Sequence, residues 1–168
     1  MHMLDARVQT LPSIHKDNSY ARVYRHATRA SRVYRNLTHQ FSVKATLLTE
    51  AFLNAFRQRH SFIAEETDSL LNASNEHQQQ IAFLVTLESP SEVELNDPLF
   101  WTVRLQSGEV SLTPAIIKRI SNKTKLELFF QGITPWSREY LLIFKPTYNA
   151  EQMRLVVGNA RAKVRLDF

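Results

Sequence analysis

Residues 18–35 read NSYARVYRHATRASRVYR, and the period of this stretch sets the fold class. At about 100° per residue, Tyr20, Val23, Tyr24, Ala27, Ala30 and Tyr34 fall on one face of a helix. Arg22, Arg25, Arg29 and Arg32 fall in a narrow arc on the opposite side. Asp17, Asn18 or Ser19 supplies a cap just ahead of Tyr20. The spacing therefore predicts an amphipathic helix with its tyrosines buried and its guanidinium groups in water. Arg-Val-Tyr-Arg occurs at 22–25 and again at 32–35. A ten-residue offset rotates a helix by about 280° beyond whole turns, so the copies do not superpose and no structural repeat is implied.

Downstream, Phe41, Ala45, Leu48, Phe52, Ala55, Phe56 and Phe62 continue a helical pattern. Thr49-Glu50 marks a fresh N-terminus after a break near Leu48, the hydroxyl capping and the carboxylate favoured by the helix dipole. The pattern fades through 65–78, where Asn72, Ser74, Asn75 and Gln78–Gln80 mark a connection. From Gln79 the period becomes two, with Ile81, Phe83, Val85 and Leu87 reading as a well-covered strand. Ser89 to Pro98 is a polar, acidic loop, and Leu99, Trp101, Val103 and Leu105 then alternate strictly up to the turn at Gly108. Short strands are expected near Glu109–Leu112, Ile116–Ile120, Lys125–Phe130, Tyr140–Lys145, Met153–Val157 and Lys163–Phe168. Turn residues separate them at Ser121–Lys123, Gly132–Pro135, Pro146–Asn149 and Gly158-Asn159. About seven or eight short antiparallel strands at this spacing predict an immunoglobulin-like β-sandwich. The fold class expected is α+β, with a lead-in arm at 1–17, a helical segment at 18–77 and a sandwich at 78–168.

Composition agrees with a globular chain: 168 residues, 43% hydrophobic and 22% charged, with 3 glycines and 6 prolines. No run approaches the roughly 18 apolar residues that span a bilayer. The absence of cysteine removes disulfides, thiolate metal sites and cysteine nucleophiles at once. The net charge of +5 divides unevenly, with +7 in residues 1–62 and −2 in the rest. Met1-His2-Met3 reads as a cloning junction ahead of a first native residue at Leu4.

The order of landmarks resembles a group of uncharacterised bacterial lipoproteins of the cell envelope. The residues concerned are Tyr24-x3-Thr28-Arg29-x3-Val33-Tyr34 and Ala45-Thr46-x-Leu48-Thr49-Glu50-x-Phe52. They continue with Phe83, Asn96-Asp97, Trp101-x-Val103-x-Leu105, Pro114-x-Ile116 and Trp136-Ser137-x2-Tyr140-Leu141-x-Ile143-Phe144. The match runs over most of the chain from Tyr20 onward and consists of packing and turn residues. The resemblance implies export, a periplasmic location and a lipid anchor on a cysteine after a leader lost upstream of Leu4. It implies no activity. The alternative compartment is the cytoplasm.

Reactive chemistry has little support. Of six histidines, none stands four residues from another or in H-E-x-x-H, so a helix-borne zinc site is not expected. Glu88, Glu92, Glu94 and Asp97 lack the glycine and alternating oxygens of a calcium loop and read as a solvated acidic loop. There is no G-x-S-x-G elbow and no phosphate-cradling glycine loop. No catalytic residue, metal or cofactor is assigned, and the chain is read as a non-enzyme. Trp101 is expected in the core, and Trp136 over one end of the sandwich. Arg22, Arg25, Arg29 and Arg32 form the candidate interaction surface, facing an anionic membrane or an acidic protein partner. Nucleic acid is disfavoured because the tyrosines lie opposite the arginines and cannot stack on bases beside them. The expected role is a non-catalytic interaction or structural protein of the envelope. The rivals are a nucleic-acid-binding module on the basic helix and a hydrolase drawing residues from distant loops.

Overall fold

A computed structural model describes residues 13–60, 80–146 and 152–168. The arm at 1–12, Phe62, the fading pattern at 65–78 with Asn72 and His77, and the turn at 147–149 lie outside the described residues. After a 3-10 turn at Ile14–Lys16 come α1 (Asn18–Ala27), β1 (Thr28–Arg35), β2 (Thr38–Leu47) and α2 (Glu50–His60). Then follow β3 (Ile81–Glu88), β4 (Thr102–Ser107), β5 (Val110–Leu112) and β6 (Ile116–Ile120). A short helix α3 (Lys123–Leu126) precedes β7 (Arg138–Phe144), β8 (Arg154–Gly158) and β9 (Lys163–Asp167). The strands form two antiparallel sheets, one ordered β1-β2-β3-β7-β6 and the other β5-β4-β8-β9. The α+β class and a sandwich-like packing of two sheets are as expected. Among the described residues no helix is long and apolar enough to cross a membrane.

The five-stranded sheet is covered on both faces, so the molecule has three layers. On one face Phe41, Val43 and Ala45 of β2, Phe83, Val85 and Leu87 of β3, and Tyr140, Leu142 and Phe144 of β7 meet the four-stranded sheet. On the other, Leu84, Leu141 and Ile143 meet Tyr20, Tyr24, Phe52, Phe56, Phe129 and Phe130 of the helical layer. Successive strand residues point to opposite faces. A strand with both faces covered must therefore be apolar at nearly every position, and every residue of β7 is buried.

The helix read over residues 18–35 is half correct. Asp17 caps α1 by accepting from the Tyr20 N–H (3.2 Å), and Tyr20, Tyr24 and Ala27 are buried as expected. The helix stops at Ala27, and Thr28 takes an extended conformation. From there β1 pairs with β2 over Thr28↔Thr46 to Arg35↔Thr38, with the Thr28 and Thr46 hydroxyls 2.8 Å apart. Ala30 and Tyr34, predicted on the buried helical face, are exposed. The helical reading of 38–47 is also overturned: β2 pairs with β3 over Ser42↔Glu88 to Leu47↔Phe83. Strands from the expected helical segment thus join the expected β half in one sheet. The break near Leu48 is real, and Thr49 caps α2 by accepting from the Phe52 N–H (3.1 Å).

Residues Lys125–Phe130, read as a strand, are instead the end of α3 and the turn after it. Phe129 and Phe130 both enter the helical-layer core, Phe129 against Phe56 (4.2 Å) and Phe130 against Phe52 (5.8 Å). Two adjacent residues of a strand cannot bury on one side. Ile14, placed in the lead-in arm, is buried in the same cluster.

Buried polar groups tie the helical layer down. The Tyr20 hydroxyl donates to the Phe129 carbonyl (2.5 Å). The buried Arg59 donates to the Leu128 carbonyl (2.9 Å) and the Asp17 carboxylate (3.2 Å), with its guanidinium 5.3 Å from the Tyr20 ring centroid. Partial burial alone raises the Asp17 carboxyl. The Tyr20 N–H, the Ser19 hydroxyl and Arg59 outweigh it and hold the group below its ordinary value. Burial pushes the phenols of Tyr20, Tyr24 and Tyr140 upward.

Above about pH 10 the unfolded chain releases these phenolic protons while the folded chain retains them. Stability is therefore full below that pH and declines as pH rises past it. Tyr20→Phe is expected to lose about 1 kcal/mol at neutral pH and to decline less steeply between about pH 10 and 12. Urea unfolding across that range checks this, and slopes equal to wild type contradict the burial of the Tyr20 hydroxyl.

Candidate interaction end of the sandwich

The structure separates the four arginines of the expected stripe. Arg22 and Arg25 are exposed on α1, where the Arg25 Nε–H donates to the Ala21 carbonyl (3.2 Å). Arg29 and Arg32 belong to β1, and three residues along a strand places them on opposite faces. Arg29 turns toward the four-stranded sheet. It donates to the carbonyls of Asp167 (3.0 Å), His26 (2.8 Å) and Thr28 (2.9 Å), 5.5 Å from the Phe168 ring centroid. Arg32 is exposed on the face that carries Lys44. A single arginine stripe needs the helix to continue past Ala27, and it does not.

Strand register assembles a different surface. Ser42↔Glu88, Leu87↔Arg138 and Ile120↔Glu139 put the end of β3, the middle of β2, the start of β7 and the end of β6 together, with the β1–β2 hairpin running on past them. Thr102↔Gly158 brings the start of β4 to the end of β8, and the Trp101 ring meets Phe41 at 5.1 Å across the sheets. Hence the β1–β2 hairpin, the β3–β4 loop, the α3–β7 turn and the β8–β9 turn crowd one end of the sandwich. Among the described residues, the most exposed large apolar side chains stand there: Leu37 (99%), Leu99 (97%), Trp136 (85%) and Tyr34 (59%), with Phe100 beside Leu99. Less exposed Val110 and Ile116 belong to the opposite end, and Leu128 lies beside α2.

Each tip is built on a fixed base. Asn36 and Leu37 both have positive φ (51° and 64°), the two-residue hairpin turn whose twist suits antiparallel strands. Asn tolerates that region. Leu does so at a cost of roughly 1–2 kcal/mol, and here its side chain touches almost nothing. The Leu99 tip rests on Asp97, whose carboxylate accepts from the Leu99 N–H (2.9 Å) and whose carbonyl accepts from the Trp101 N–H (2.9 Å). Beneath it Trp101 is in the core, as expected, its Nε1–H donating to the Val93 carbonyl (3.0 Å). Arg138 holds the same loop through the Val93 (2.8 Å) and Ser91 (2.7 Å) carbonyls.

Trp136 does not cover the sandwich end; its turn throws it outward. Within the turn, Ser137 N–H donates to the Thr134 carbonyl (3.2 Å) and Thr134 N–H to the Ser137 hydroxyl (2.9 Å). Lys123 reaches under it to the carbonyls of Thr134 (2.9 Å) and Ser137, with its ammonium 3.6 Å from the buried Glu139 carboxylate. The Ser137 hydroxyl also meets Glu139. Serine, lysine and glutamate thus converge, but the serine is 1% exposed and all three hold the turn. The acidic loop disperses its carboxylates: Glu94 accepts from Tyr140 and Arg119, and Asp97 caps its own turn. Among the described residues no cluster of three metal-ligating side chains occurs. A groove of about 950 Å³ between α1 and α2 is lined by Asp17, Tyr20, Val23, Asn54, Ala55 and Arg59.

Set against models of known protein families and against curated protein sequences, the chain has no match in either.

Leu37→Gly is expected to raise unfolding free energy by about 0.5–1 kcal/mol, because glycine relieves the left-handed strain and no packed side chain is lost. Chemical denaturation checks this. A destabilised variant contradicts the left-handed, solvent-exposed placement of Leu37.

Proposed function

We propose that this chain is a non-catalytic interaction domain of the bacterial cell envelope, the mature region of a lipoprotein, with contact made through the crowded end of its sandwich. The observation behind the contact is the gathering there of Tyr34, Leu37, Leu99 and Trp136, large apolar side chains left in water on hydrogen-bonded turns. Such groups are normally found singly on a surface, and a concentration of them marks a contact site. A leucine at a strained turn position without packing adds to this, since its side chain contributes nothing to folding there.

We further infer that the sandwich is immunoglobulin-like. The order β2-β3-β7-β6 corresponds to strands A, B, E and D of such domains, and β9-β8-β4-β5 to G, F, C and C′. β1 is then an addition outside strand A, delivered by α1. In this correspondence the β3–β4 and β8–β9 connections are the B–C and F–G loops, the end by which variable domains bind. That is an analogy of architecture, and it supports the same end as the exposed side chains do. The envelope location rests on the lipoprotein resemblance of the Tyr24, Trp101 and Trp136–Phe144 segments.

Two measurements test the reading. The gene upstream of Leu4 is expected to encode an apolar leader ending in a cysteine; translation beginning at Met1 or Met3 overturns the envelope assignment. Oxidative footprinting of Trp136 is expected to show protection in isolated native envelopes relative to purified protein. Equal labelling in both overturns the contact end.

A further inference from the structure

We infer that the occupant of this end is a phospholipid bilayer carrying anionic headgroups; the inference rests on the contact end proposed above and names its partner. The arrangement of the apolar groups argues for lipid. A protein interface concentrates its anchors in one packed centre surrounded by a rim. Here they are carried by three different connections that meet at that end. Leu37 heads the β1–β2 hairpin, which runs past Glu88 where β3 stops; Leu99 and Phe100 stand at the start of β4, in the other sheet; and Trp136 caps the turn entering β7. Single side chains carried on different turns need no complementary partner shape when the partner is a fluid. The residue types agree, since a Trp ring sits at headgroup depth while Leu reaches hydrocarbon.

Charge supplies the second argument. The exposed ionic groups on these tips are Arg32 and Arg35 beside the hairpin and Arg161 and Lys163 at the β8–β9 turn, against Glu92. The neighbouring acids are engaged within the protein: Glu94 by Tyr140 and Arg119, Asp97 in its own turn, and Glu88 as acceptor from Thr134 (3.4 Å). Cations interleaved with apolar prongs suit a surface of phosphates over hydrocarbon. Insertion is shallow, because each prong is a single side chain and the hydrogen-bonded turns remain outside the bilayer.

Trp136 makes the test direct, since Trp101, the other tryptophan, is buried. The full chain is titrated with phosphatidylcholine vesicles and with vesicles of phosphatidylcholine and phosphatidylglycerol, with emission followed in a Trp101→Phe background. The expected result is a blue shift and quenching by bromine-labelled acyl chains, stronger with phosphatidylglycerol and weakened by salt. Leu37→Asp with Leu99→Asp is expected to reduce partitioning at least about tenfold. Arg35→Glu with Lys163→Glu is expected to remove the phosphatidylglycerol preference, about fivefold per cation. The proposal is overturned if Trp136 emission ignores both vesicles, or if the aspartate pair leaves partitioning unchanged. Should vesicles fail while Trp136 stays protected in native envelopes, the lipid occupant is wrong and the contact end stands. Failure of both removes both.

Discussion

Covering the β3–β7 pair on both faces is the constraint from which the remaining structure follows. Phe83, Val85, Leu87, Tyr140, Leu142 and Phe144 hold the second sheet, and Leu84, Leu141 and Ile143 hold the helices. Neither outer layer has a core without this pair. The aromatic set of Tyr20, Tyr24, Phe52, Phe56, Phe129 and Phe130 is large enough to need a broad apolar floor, which a single helix pair does not provide. Burial of such rings dominates the energetics of a small domain. The buried Arg59 is tolerable only because Asp17, the Leu128 carbonyl and two aromatic rings surround it.

Stability and display are divided along the strand axis. Toward the middle of the sheets the side chains interdigitate. At one end Arg138, Glu139, Lys123, Ser137 and Tyr140 form a polar layer that fixes two connections, the β3–β4 loop and the α3–β7 turn. The apolar prongs sit beyond that layer and add nothing to it. A rigid base lowers the entropy lost when a displayed side chain is captured, which is the usual advantage of preorganisation.

The sequence made much of this legible. Period-two runs predicted β3 and β4, the short strands expected further on match β5 through β9 to within a few residues, and the caps at Asp17 and Thr49 stand where expected. The failure at 28–47 has a specific cause. Phe41, Ala45, Leu48 and Phe52 fit a helical stripe, but Phe41, Val43, Ala45 and Leu47 fit alternation equally well, and only Val43 and Leu47 tell the two apart. Asn36-Leu37 between two such runs was the hairpin signal. Long-range pairing with β3 then overrode the local preference. Phe129-Phe130 misled as a β pair because adjacent aromatics favour strands, whereas here both fill one helical core. The proposed contact end was invisible as a unit, since four connections far apart in sequence build it. Its local signature was present: Pro98-Leu99 and Pro135-Trp136 each put a large apolar residue directly after a turn proline.

Everything depends on the helical layer and both sheets sharing one pair of central strands. Native-state hydrogen exchange measures that sharing amide by amide. If the sharing holds, amides of β3 and β7 exchange only through global unfolding, with the inner turns of α1 and α2 and the β4–β8 ladder reaching nearly the same free energy. Helices that open several kcal/mol below the strands, as an independent unit, would contradict it.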